Sequence, residues 1–231
     1  MKFARDKAFD SEFVKVEGAR WYPYVGKNFG SLGRRVMVYA HNIPIKPDEY
    51  EEKLNEWRDP ATWADAIEEY TYDQGWWTNA FRYFIKGAVG LKENYNASSD
   101  VSVISRVDDF VHEIAYLNFI QDLVRSEGQI ASATWDQVQA SQRINLEYLR
   151  ILNITHCICW GKPTYEYVTT MEGFRTVSEQ SEGKIGFSSC LADTGSDRHL
   201  HILRVFHPSM PQAFDPYSED THRIISNFLA R

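Results

Sequence analysis

The sequence predicts an α/β protein, a three-layer α/β/α sandwich whose central, mostly parallel sheet is covered by helices on both faces. Three observations carry that expectation. The apolar runs Val36–Ala40, Ile154–Trp160 and Leu200–His207 have the β-branched and aromatic character of buried strands. Segments with helical periodicity separate them, as crossover connections between parallel strands would. Each run also stops abruptly, at His41-Asn42, at Gly161-Lys162-Pro163 and at His207-Pro208-Ser209. Pro208 cannot donate to a continuing ladder, and the carboxyl ends of parallel strands are where ligands bind in such sheets.

The elements follow in chain order. Residues 1–20 are polar and mixed in charge, with Phe13, Val14 and Val16 as a short apolar cluster that packs over the domain. Trp21–Gly30, broken by Pro23 and Gly26, reads as an irregular loop with aromatic anchors. Val36–Ala40 is the first strand. Asp48–Trp57 carries acid in its first turn and Tyr50, Leu54 and Trp57 at helical spacing, which predicts a surface helix. Asp59-Pro60 interrupts it, and Thr62–Tyr70 forms another turn or helix. In the next helix Trp77, Phe81, Phe84 and Ile85 share a face, with Gly87 as the expected stop. Asn96–Asp100 reads as a loop, Ser105–His112 as a helix and Ile114–Phe119 as a strand. Asn118 stands in that apolar run, where an amide needs partners because leaving one unsatisfied costs about 1–3 kcal/mol.

Thr134-Trp-Asp-Gln137 matches a capping box, and Val138, Leu146, Leu149 and Leu152 give the following helix its apolar side. After the strand Ile154–Trp160, a crossover helix starts at Thr164–Val168. Lys184–Leu191 is a further strand, and Asp193–Asp197 is the loop that leads into the strand ending at His207. A last helix spans Asp220–Leu229. The expectation is one domain over residues 1–231, with 1–32 as an N-terminal extension and aromatic loop.

Bulk properties narrow the function classes. A net charge of -7 and a pI near 5.5 give no global basic field for holding nucleic acid, and the acidic helix at 48–56 would repel phosphates unless it faces away. The amino terminus lacks the apolar core of a signal peptide and no run approaches the length of a membrane span, so the expected location is the cytoplasm, with no membrane partner. Cys157, Cys159 and Cys190 are an odd count without a repeating frame, which argues against a disulfide scaffold. His199-x-His201 and His156-Cys157-Ile-Cys159 bring metal-ligating types together, but no four-residue set has zinc-site spacing, so no metal or other cofactor is expected.

Polar groups at three strand ends, His41-Asn42, Asn118 and His207-Pro208-Ser209, would converge on one pocket of a parallel sheet. In this order, Ala40-His41-Asn42-Ile43-Pro44, Ala115-Tyr-Leu-Asn118, Cys157-Ile-Cys-Trp160-Gly161 and Val205-Phe-His207-Pro208-Ser209 resemble the motifs of the uracil-DNA glycosylase superfamily over roughly residues 33–215. The first motif departs from the family pattern. Ala40 stands in place of glycine, His41 is unusual there, and the proline falls one position late. The resemblance implies a hydrolase, a DNA glycosylase that flips a base and cleaves the N-glycosidic bond of uracil or a related damaged base. Asn42 would then hold the attacking water, Asn118 would read the base edge beside His41, and His207 would donate to the departing base. Ser209 and Met210 would contact DNA, with Met210 as an apolar wedge. The different class of answer is an inactive member that keeps the pocket to bind a nucleobase, a nucleic-acid end or a partner protein.

Overall fold

The computed structural model describes residues 5–72, 78–92, 95, 100–126, 132–184, 186–194 and 199–231, and of 68–72 and 211 the backbone alone. In chain order the elements are α1 (Asp10–Phe13), β1 (Tyr24–Val25), β2 (Val36–Ala40), β3 (Ile43–Ile45), α2 (Tyr50–Glu56), α3 (Pro60–Tyr72), α4 (Asn79–Val89), α5 (Val101–Glu113), β4 (Ile114–Asn118), β5 (Leu123–Arg125), α6 (Trp135–Ile151), β6 (His156–Trp160), α7 (Lys162–Thr169), β7 (Arg175–Ser181), β8 (Ser188–Asp193), β9 (His199–Val205), α8 (Pro211–Phe214) and α9 (Glu219–Leu229).

The α/β class holds, but the seven-stranded sheet, ordered β1-β4-β2-β6-β9-β8-β7, is mixed rather than mostly parallel. Its centre, β4-β2-β6-β9, is parallel. The flanks are antiparallel: β1 on β4, β8 on β9 and β7 on β8. The parallel centre is the part with a readable signal, because strands buried on both faces are apolar throughout, and every residue of β2, β4 and β6 is buried. The antiparallel β7 reads Arg-Thr-Val-Ser-Glu-Gln-Ser and is exposed along its whole length, so no burial pattern marks it. A second, two-stranded sheet joins β3 to β5 in parallel just beyond the ends of β2 and β4.

Helices cover both faces of the parallel centre. Phe81 and Phe84 of α4 meet Tyr116 and Trp160 at centroid distances of 4.7 and 5.3 Å. On the opposite face Tyr39 meets Phe119, which in turn meets Tyr167 of α7 at 5.6 Å. The capping box forms as expected: the Gln137 N–H donates to Thr134 Oγ1 at 3.3 Å and the Thr134 N–H to Gln137 Oε1 at 3.0 Å, a cap worth about 1 kcal/mol.

Several boundaries move for physical reasons. Gly87 does not stop α4; it lies inside the helix because a Cβ there would meet Phe214 at 2.9 Å and Thr221 at 3.0 Å. The stop is Gly90, whose φ of 70° is the left-handed cap. α5 starts at Val101, earlier than its apolar pattern, because the Asp100 side chain accepts from the Ser102 N–H. The stretch read as an aromatic loop contributes β1, with Trp21 and Tyr24 fully buried. Strand β9 ends at Val205, two residues before His207. The helical placement of Trp77 and the loop assignments at 96–99 and 195–197 lie outside the described residues. Among the described residues no helix is long and apolar enough to cross a membrane.

Candidate functional site

Sheet register brings the polar strand ends level. Ala40, the last residue of β2, pairs with Asn118, the last of β4, while Tyr39 pairs with Cys159 and Trp160 with Val205. His41-Asn42, Asn118, Gly161 and Phe206-His207 therefore leave the sheet at one end. Side-chain geometry joins two of them further. A Cβ built on Gly161 would lie 3.9 Å from that of His207, and His41 is close enough to His207 to act on its charge.

His207 is half-buried and its protonation is fixed by its neighbours. The Ser209 backbone N–H donates to its Nδ1 at 3.2 Å, and Ser209 Oγ lies 2.7 Å from the same nitrogen. A backbone N–H can only donate, so Nδ1 is the acceptor and the proton of the neutral ring sits on Nε2. Burial, with the neighbouring His41 adding to it, pushes the His207 pKa down to about 4. The ring is a neutral donor at pH 7. Trp160 backs it edge-on at 5.7 Å and 87°, and is itself wedged against Phe84 and Tyr116.

His41 is also shifted down by burial. Its Nδ1 lies 3.3 Å from Thr164 Oγ1, and its ring stacks on Tyr167 at 5.7 Å and 23°. Both partners come from α7, so the first turns of that helix fix the imidazole at the end of β2. Asn118 is 4% exposed, and its amide has no hydrogen-bond partner among the described residues. Its backbone carbonyl accepts from Gln121 Nε2 at 3.2 Å. Asn42 is half-buried, one residue past His41. Ser209 is exposed and so is Met210, which closes the tight turn from the His207 carbonyl through its own N–H at 2.9 Å.

Tyr167 and Thr164 were not singled out in the sequence. The only signal was their position in the helix after Trp160-Gly161. Of the described aromatic residues in 21–30 and 57–84, Trp21 and Trp63 are buried with the half-buried Trp57 packed on both at 6.1–6.2 Å, and Phe81 and Phe84 cover the sheet. The cysteines are free and buried, and burial raises the thiols of Cys157 and Cys159 well above the ordinary range. Among the described residues no three His, Cys, Asp or Glu side chains converge to hold a metal.

Cations around the strand ends are engaged by acids. Lys162 pairs with Glu166 at 3.4 Å, Lys46 with Glu49 at 3.0 Å and Arg125 with Glu51 at 3.8 Å. Two open clefts, of about 560 and 850 Å³, lie elsewhere. The smaller is lined by residues that include Arg20, Trp57 and Gln121, the larger by residues along α6. No protein-family model matches the chain, and no curated protein matches it.

Proposed function

We propose that the chain is a three-layer α/β/α domain of the uracil-DNA glycosylase type that hydrolyses the bond between a base, uracil or a related damaged one, and its sugar in DNA. The observation that supports this most is the tautomer of His207. Cleaving an N-glycosidic bond leaves positive character on the sugar and negative charge on the departing base, so a donor aimed at a base oxygen is most useful in the transition state. A neutral imidazole with Nε2–H outward and Nδ1 occupied is such a donor. An attacking water, oriented by the Asn42 side-chain carbonyl, adds its oxygen to C1′ and releases one proton to solvent. The C1′–N bond electrons leave with the base, which takes up a proton from solvent. The unpartnered amide of Asn118 offers a donor and an acceptor in one plane for the base edge.

A second reading is favoured by the net charge of -7 and by the pairing of Lys162, next to Gly161, with Glu166, neither of which helps hold a phosphate backbone: the site binds a nucleobase without cleaving it. The test is base release from uracil-containing single- and double-stranded oligonucleotides, beside wild type, by His207→Ala and Asn42→Ala. The proposal expects release that both substitutions reduce by about 10²-fold or more. Release untouched by either substitution overturns the site. Saturable uracil binding without release selects the second reading.

A further inference from the structure

The 560 Å³ cleft has the size of a small-ligand site, which runs from about 300 to 1,000 Å³. Its aromatic lining residue is Trp57, whose orientation is set by edge-on packing against Trp21 at 6.2 Å and Trp63 at 6.1 Å. The next residue, Arg58, is exposed and makes no ion pair among the described residues. Two arginines, Arg20 and Arg58, line the cleft with a single carboxylate, that of Asp122. That carboxylate is already occupied, by the Leu123 N–H at 2.9 Å, Arg20 Nε at 3.2 Å and Gln137 Nε2 at 3.0 Å.

The buried side of the cleft carries the same imbalance. Gln121 is 5% exposed; its Oε1 accepts from the Trp21 N–H at 3.2 Å and its Nε2 spends one hydrogen on the Asn118 carbonyl. The second Nε2 hydrogen has no acceptor among the described residues. Ser141 is 2% exposed; its Oγ accepts the Gln121 N–H at 2.9 Å, and its hydroxyl hydrogen has no acceptor among them either. Buried donors without acceptors are costly, and a cleft with surplus donors and an unpaired guanidinium beside an aromatic face suits an acceptor-rich, flat ligand. We infer that this cleft is a second binding site, for a planar aromatic or heteroaromatic molecule bearing a carboxylate or phosphate, which stacks on Trp57 with its anionic group on Arg58.

Isothermal titration calorimetry on the full chain tests this with thymidine 5′-monophosphate and indole-3-acetate as the phosphate and carboxylate probes, and with thymidine and inorganic phosphate, or indole and acetate, as their halves. At least one anionic aromatic should bind, at least about tenfold tighter than either half, because stacking and a charge-assisted bond act together. Arg58→Ala and Trp57→Leu should each weaken it by about tenfold or more, while His207→Ala should leave it unchanged. Which probe binds names the anionic group. The inference falls if neither anion binds at millimolar concentration, if Arg58→Ala or Trp57→Leu weakens binding by less than about tenfold, or if His207→Ala abolishes it.

Discussion

Two pairs of histidines occupy opposite ends of the parallel centre of the sheet. At the carboxyl ends, His41 and His207 lie beyond β2 and β9. At the amino ends, His156 of β6 pairs in register with His201 of β9, their rings stacked at 5.0 Å and 16°. Burial lowers the pKa of all four, and that of both His156 and His207 to about 4. A depressed pKa therefore does not tell them apart. What differs is the nitrogen left over. His156 is 5% exposed, its Nδ1 bonds Thr155 Oγ1 at 2.8 Å, and its Nε2 is sealed in without a partner, against the edge of Phe228. His207 lies in a loop with its Nδ1 satisfied, so Nε2 carries the proton. One ring is packing; the other has a donor to offer.

The sharpest way to break this contrast is to remove each ring in turn. His207→Ala should cost base release about 10²–10⁴-fold, whereas His156→Gln should leave the turnover of folded protein within about twofold of wild type; equal losses in both would erase the distinction. Asn118→Leu should come next. An unpaired amide that reads a base edge gives about 10-fold or greater loss of kcat/KM with the fold kept by circular dichroism, whereas a merely structural amide would move stability alone.

The lowered pKa values should also make stability fall in acid, and the His156 share of that loss can be read on its own. A histidine whose folded pKa lies near 4 and whose unfolded pKa lies near 6.5 binds its proton more readily in the unfolded chain. Stability is thus full above pH 6.5, falls as the pH drops from 6.5 towards 4, and levels below that. For His156 the loss amounts to roughly 3 kcal/mol at most. Urea midpoints measured across this range should show a flatter acid limb in His156→Gln than in wild type, and an unchanged limb would count against the buried pair. The smallest effect expected is that of Ser209→Ala. The backbone N–H to His207 Nδ1 remains, so the tautomer is kept and release should fall by less than about tenfold. A loss as large as that of His207→Ala would show that the hydroxyl, not the backbone, sets the ring.

Much of the fold was legible wherever burial writes a pattern. The parallel strands β2, β4 and β6 are apolar at nearly every position, and the helix after Thr134 announces itself by its cap. The strand ends His41-Asn42, Asn118 and His207 were legible too, as polar residues stopping apolar runs. β7 was invisible because an exposed edge strand needs no apolar residue, and β3 and β5 because three residues are too short to show a period. Gly87 was misread because a glycine at a close helix contact looks, in sequence, like a glycine at a helix end.

The sequence by itself determined the α/β class and which residues stop the central strands, since both depend on local runs of apolar and turn-forming residues. Only the tertiary structure decided that the flanking strands run antiparallel, that Ala40 and Asn118 end level, that α7 supplies Thr164 and Tyr167 to His41, and that His207 carries its ring proton on Nε2 in a loop while His156 Nε2 is sealed in the core. These are matters of register and of which atoms meet across the chain, and neither is encoded within any window of neighbouring residues.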